Sequence, residues 1–312
     1  MLNKLSQDYP PERLEVIVVS DGSTDRTDVI VRSLAEHSEG RLKFLRQEPR
    51  QGKTQALNRA VPHASGDILV FADANSIYAP NALRALVRNF ADPSIGYVTG
   101  KMIYTNLGGD GIGGGCSLYM RYENQLRALE TKVGSVVGVD GGIDAVRREL
   151  YVPMRHDQLP DFMLPLSVVE QGKRVVYEPN AVLYESALAG VADEFQMRVR
   201  VALRALWVLY DKRQLFNPFR FPLFAWQLFS HKLLRYAAFL FSMGFLIGNG
   251  LLLGQHPFYN GLFVLQGVAY ALGGPGSFAQ TVVLGVVQTG CIVLLYRPEH
   301  GLRRGVLEVS AW

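Results

Sequence analysis

Residues 236–296 hold no Asp, Glu, Lys or Arg, and that gap limits the possible folds more than any other feature of the chain. A water-soluble domain rarely leaves so long a stretch uncharged, and at ~20 residues per crossing there is room for up to three membrane-spanning helices. Gly254-Gln255-His256 and Gly273-Gly274-Pro275-Gly276 break it into 236–253, 257–272 and 278–296, the second being the shortest. A helical hairpin buried inside a soluble protein is the competing reading. Ahead of the gap, charges are scattered as on a soluble surface. We therefore divide the chain into an α/β part over 1–210, an interfacial segment over 211–235, and a membrane region of two to three helices with a short basic tail over 236–312.

The opening MLNKLSQDYPPERLEV is polar and has no apolar core, so no signal peptide is expected and the first part is expected to stay in the cytosol. Arg213, Arg220, Lys232 and Arg235 crowd the start of the first span, as the positive-inside rule asks of a cytosolic flank. Three crossings would put Arg297, Arg303 and Arg304 outside, so either one segment is re-entrant or the tail overrides the rule. Cys116 and Cys291 are the only cysteines, which leaves no disulfide framework or zinc site. The net charge of +4 fits a juxtamembrane face. Nucleic-acid binding is not expected, because the basic residues lack a base-stacking aromatic motif around them.

Within the α/β part, LEVIVVS over 14–20 is a β-branched apolar run closing on Asp-Gly-Ser, the pattern of a buried strand ending in a turn. A helix follows, capped by Thr24 or Asp25, with Val29, Ile30, Ser33 and Leu34 at helical spacing. Residues 42–45 form a second predicted strand, 53–60 a helix, and DILVFA over 67–72 a third strand ending at Asp73. This alternation predicts a parallel sheet with crossover helices, in which ligands bind beyond the carboxyl ends of the strands. Asp21 and Asp73 stand there, although either alone is as compatible with a turn. Further on, Leu118, Tyr122, Leu126 and Leu129 predict an amphipathic helix behind the Gly-rich loop 108–115. Residues 161–170 predict a helix despite Pro165, 174–177 a strand, and 194–210 a long helix.

VIVVSDGSTD, GKTQALNRAV, GDILVFADAN and VDGGIDAVRREL follow one another in the order found in family 2 glycosyltransferases. With the apolar C-terminus, the chain resembles the membrane-bound branch that makes poly-N-acetylglucosamine, hyaluronan and cellulose. The resemblance implies an α/β, GT-A (Rossmann-like) nucleotide-sugar domain followed by C-terminal transmembrane helices. It implies a UDP-sugar donor, a polysaccharide or lipid acceptor, and a multi-pass protein of the inner or plasma membrane with a cytosolic catalytic domain.

By the same resemblance Asp21 reads the uracil, whose imide N–H a carboxylate can accept, while Ser23 and Asp25 shape that loop. Lys53 matches the family lysine near the diphosphate. Asp73-Ala74-Asn75 occupies the DxD position, whose carboxylates hold Mg²⁺ or Mn²⁺; Asn75 offers a neutral oxygen where a second carboxylate is usual. Asp161 matches the general base that takes the acceptor proton, with Pro160 in place of its usual acidic partner and Asp157 as the nearest rival. Arg198 and Arg200 lie where processive members carry QxxRW, and imply cations for the leaving diphosphate; Val201 stands where that motif has Trp. The expected reaction is one inverting displacement. A nucleotidyltransferase on a similar scaffold and a catalytically impaired nucleotide-binding scaffold are the alternatives.

Family members begin with an apolar strand that this chain lacks ahead of residue 14. The expectation is an N-terminally truncated GT-A domain with either a gap between the strands ending at Asp21 and Asp73, or closure of 16–19 against 68–71.

Overall fold

A computed structural model describes residues 1–105, 112–186 and 191–272. They fall into two compact units, Met1–Tyr236 and Ala237–Trp312.

The first unit opens with α1 (Leu2–Leu5), then β1 (Val16–Asp21), α2 (Thr27–Glu36), β2 (Leu42–Gln47), α3 (Lys53–Ala60) and β3 (Ile68–Ala72). The apolar runs are strands and the segments between them helices, as their periodicities dictate. β4 (Ile77–Tyr78), α4 (Ala82–Val87), β5 (Ile95–Tyr104), α5 (Ile112–Val133) and β6 (Ile143–Arg147) follow. The unit continues with α6 (Pro160–Glu170), β7 (Arg174–Glu185), α7 (Val191–Asp211) and α8 (Pro222–Leu228). The strand expected over 174–177 is the first third of β7, and the helices expected over 161–170 and 194–210 are α6 and α7.

The sheet is not the parallel one that the βαβ alternation predicts. β1 and β2 are parallel, Val16 opposite Leu42 through Asp21 opposite Gln47, but they form a sheet of their own. The other five strands run in the order β3-β6-β5-β7-β4. There β6 is antiparallel to β3 and β5, while β5 and β7 are parallel. The alternation extends only as far as β3, and no crossover pattern flags the return of β6.

The facing edges of β1 and β3 have no strand between them among the described residues. A cavity of about 590 Å³ separates them, lined by Val16 and Ile17 on one side and Ile68, Val70 and Phe71 on the other. Of the two expected arrangements, the structure has the gap.

Both faces of the five-stranded sheet are covered, so its strands read as continuous apolar runs. Tyr97, Val146, Val175 and Tyr177 point to α6, α7 and α8, and Val98, Ile143, Ala145 and Val176 to α4. Apart from Asp161 and Glu170, every residue of α6 is buried. The same alternation turns Asp144, between Ile143 and Ala145, toward the α6 side.

In the second unit, α9 (Leu234–Leu251) and α10 (Pro257–Leu272) are joined by a buried hydrogen bond from Asn249 Nδ2 to Gln266 Oε1, 2.8 Å. Phe241, Phe245, Ile247, Leu251, Phe258 and Leu265 are exposed. No single helix among the described residues is long and apolar enough to cross a membrane. The pair Pro222–Ala237 and Leu240–Leu251 meets that test together, as a bent pair and by length and composition only. The expected third span over 278–296, the tail arginines and Cys291 lie outside the described residues, as do residues 108–111 of the expected loop 108–115, whose remaining residues 112–115 are instead the first turn of α5.

Candidate active site

Three elements deliver one side chain each to a common point. Asp73 follows β3 in a turn closed by Ser76, whose N–H and Oγ both donate to the Asp73 carbonyl, 3.2 and 2.7 Å. Lys53 opens α3 directly behind Gly52, whose φ of +84° is open to Gly without strain. Asp161 sits in the first turn of α6, behind Pro160 at the position where a missing N–H costs nothing. Lys53 Nζ lies 2.7 Å from Asp73 Oδ1 and 3.6 Å from Asp161 Oδ1. The rest of the GKTQALN segment anchors this lysine. Thr54 Oγ1 donates to the Gln158 carbonyl, 3.1 Å, and Asn58 Nδ2 to that of Met154, 2.6 Å, while Tyr151 OH donates to Asn58 Oδ1, 2.8 Å. The segment leading into α6 is therefore fastened to α3.

Burial raises the Asp161 carboxyl above its usual pKa, with the Asp73 charge adding to the effect and Lys53 opposing it. Lys53 itself is raised: burial disfavours its charge, but Asp161 and Asp73 outweigh that. Asp157, the rival base, takes Arg155 at 3.2 Å instead.

Two residues of this site were not singled out from the sequence. Gly141, at φ +83°, leaves the room that Asp161 fills, since a Cβ there would stand 2.2 Å from Asp161 Cγ. Asp144 is 1% exposed; the Thr99 and Tyr97 hydroxyls beside its carboxylate favour the charged form, but neither oxygen makes a well-formed hydrogen bond among the described residues. Burial, with the Asp161 charge behind it, pushes its pKa up to about 7. The signals were present in VDGGIDAV: a Gly pair before a strand, and an acid inside an apolar strand.

Asp21 is placed differently. Its two oxygens accept the N–H groups of Gln51 and Gly52, 2.9 and 2.8 Å, and Gln47 Nε2, 2.7 Å. Burial raises its pKa, yet these donors together hold the carboxyl below its usual value. Asp21 thereby ties β1 to the loop that presents Lys53. Ser23 lies in the following turn, where its N–H reaches Ser20 Oγ at 3.4 Å. Asp25 Oδ1 accepts the Thr27 N–H, 3.0 Å, at the start of α2.

Asn75 Nδ2 donates to Glu185 Oε1, 3.0 Å. Among the described residues no three His, Cys, Asp or Glu side chains gather into a metal cage. Of the expected arginines, Arg200 is exposed on α7, and no ion pair joins it to Asp73 or Asp161. The Arg198 side chain lies outside the described residues.

Residues 1–151 match the model of Glycosyl transferase family 2. The chain carries a family 2 glycosyltransferase domain. The matched span includes Asp21, Lys53, Asp73 and Gly141 and stops ten residues short of Asp161. An N-acetylglucosaminyltransferase of Rhizobium meliloti (strain 1021) is 29% identical over 191 residues, 57% of this chain and 44% of that protein. A poly-β-1,6-N-acetyl-D-glucosamine synthase of Staphylococcus aureus (strain COL) is 26% identical over 223 residues, 68% of this chain and 53% of that protein. The chain thus spans about half the length of the curated relatives it matches. Among solved structures, the mannosyltransferase PcManGT from Pyrobaculum calidifontis, in complex with GDP-Man and Mn²⁺, superposes with a TM-score of 0.59 at 24% identity. That superposition covers 91% of this chain and 81% of the other. It establishes a shared GT-A fold for the family 2 domain.

Proposed function

We propose that the chain moves a sugar from a UDP-sugar to an acceptor hydroxyl of a polysaccharide or lipid at a membrane surface, inverting the anomeric carbon. The observation that carries this reading is the meeting of Asp161, its pKa raised, with Lys53 and Asp73 at the ends of three separate elements. A base must hold its proton affinity near working pH while a cation stands where diphosphate charge grows. Asp161 accepts the acceptor O–H proton as the oxygen bonds to the anomeric carbon. The bond from that carbon to the diphosphate oxygen breaks, and UDP leaves with the electron pair. Lys53 neutralises the charge that develops on the diphosphate, and Asp21 organises the loop on the nucleotide side.

Asp73 and the Asn75 amide oxygen would hold Mg²⁺ or Mn²⁺. Oxygen donors suit these hard ions, and the diphosphate supplies further ligands. When bound, the ion offsets the charge of the departing diphosphate.

The uncharged stretch 236–296, with exposed Phe and Leu side chains on α9 and α10, supports a membrane location, and the Arg and Lys residues before it support a cytosolic catalytic domain. A second reading, an impaired nucleotide-binding scaffold, is favoured by the engaged oxygens of Asp21 and the open gap between β1 and β3. A release assay on detergent-solubilised protein separates the readings. UDP-GlcNAc is the first donor to try, because the two curated relatives are named for N-acetylglucosamine. UDP release that depends on acceptor and on Mn²⁺ is expected. Pyrophosphate release would indicate a nucleotidyltransferase, and UDP binding without turnover of any donor would indicate the scaffold.

A further inference from the structure

We infer that Glu185 supplies the second carboxylate of the divalent-cation site, in place of the one that Asn75 has replaced. The inference rests on the metal-dependent reading above and names a ligand that the motif does not contain.

Backbone register places Glu185 there. β4 runs antiparallel to β7 with Ile77 opposite Tyr184 and Tyr78 opposite Leu183, so Glu185 falls beside the Asp73–Ser76 turn as the two chains continue past the ladder. The side chains agree with that placement, since Asn75 Nδ2 donates to Glu185 Oε1 at 3.0 Å across 110 residues of sequence. An amide that spends its N–H on a carboxylate has its oxygen oriented and free, the way outer carboxylates fix metal ligands. The other oxygen, Glu185 Oε2, is shielded from solvent and has no hydrogen-bond donor among the described residues. A carboxylate oxygen in that state calls for a cation.

This arrangement also accounts for the amide at position 75. An aspartate there would face Glu185 across the same short distance, two like charges with no donor between them. Asn75 instead supplies the donor, and Asp73 with Glu185 restores the pair of negative charges that an Asp-Ala-Asn motif lacks by itself. The count of protein oxygens becomes Asp73, Asn75 and Glu185, leaving the remaining positions to the diphosphate and water, as Mg²⁺ and Mn²⁺ prefer.

The test measures Mn²⁺ binding by the loss of the free-ion electron paramagnetic resonance signal, with UDP present, on the full chain in detergent. Glu185→Gln is expected to weaken Mn²⁺ about 10-fold or more, leaving metal-free UDP affinity unchanged. Asn75→Asp/Glu185→Gln, which moves the charge back onto the motif and leaves the amide on the other side, is expected to restore most of that loss. Equal Mn²⁺ affinity in wild type and Glu185→Gln, or no rescue by the double variant, overturns the inference while leaving metal dependence standing. Failure of the wild type to bind Mn²⁺ with UDP overturns both. Should Glu185→Gln not fold, Fe²⁺ can replace Mn²⁺ in the wild type, and peroxide then cuts the backbone near bound iron. Cleavage at both 73–75 and 185 is expected, and cleavage at 73–75 alone contradicts it.

Discussion

Asp21 and Asp161 carry the same side chain in two regions of one unit, and their surroundings drive them in opposite directions. At the end of β1, two backbone N–H groups and Gln47 converge on Asp21 and stabilise its charge. At the start of α6, Asp161 stands on an almost wholly buried helix with Lys53 as its one ion-pair partner among the described residues, and burial favours the protonated form. A carboxylate saturated with donors holds a loop in place; one with its charge partly uncompensated can take a proton. Residue type alone does not separate the two roles, whereas counting donors does.

The largest expected effect comes from removing the proton acceptor. Asp161→Asn should lower sugar transfer by about 10³-fold or more while UDP affinity, measured by calorimetry, stays within a fewfold. Loss of UDP binding in step with activity would place Asp161 with the donor-side residues instead.

Asp144 extends the buried region, and its effect should be seen in stability. Its folded pKa of about 7 lies above that of an unfolded Asp. Between about pH 4 and 7 the folded state therefore keeps a proton that the unfolded state has lost, and this contribution falls away as pH rises through 7. Asp144→Asn, which cannot ionise, should melt higher than wild type by a margin that grows over that window, up to about 4 kcal/mol. A margin independent of pH would show that Asp144 is not held as the acid.

Gly141→Ala probes the space beneath Asp161. The added Cβ collides with the carboxyl and the residue must hold φ +83°, so transfer should drop about 10²-fold, the scale of a misplaced catalytic group. Unchanged activity would mean that Asp161 has another productive position. The smallest effect should come from the donor-saturated side. Asp21→Asn turns an amide N–H toward the Gln51 or Gly52 N–H, and should cost about 1–3 kcal/mol in thermal unfolding. A loss of UDP affinity at unchanged stability would instead assign Asp21 directly to the nucleotide.

The same contrast shows what could be read before the structure. β1, α2, β2, α3 and β3 were legible because β-branched runs ending in Asp alternate with helical spacing, and α6 with Asp161 was legible from its motif. The antiparallel insertion of β6 was not, since strands buried on both faces carry no sign of direction. Gly141 lies 20 positions from the side chain it accommodates, and Glu185 lies 110 positions from Asn75, so only the folded backbone brings those pairs together. For Asp21 the motif pointed to the nucleotide, whereas the structure engages both of its oxygens within the protein. Arg200, placed near the diphosphate by a diverged motif, is exposed on α7.

The pH dependence of kcat, compared between wild type and Lys53→Ala, bears most directly on Asp161 as the base. Lys53 opposes the burial that raises Asp161. Removing it should therefore lower kcat and move the acid limb of the profile to higher pH, because the base then holds its proton longer. An acid limb that stays in place or moves to lower pH in Lys53→Ala would contradict Asp161 as the group that takes the acceptor proton.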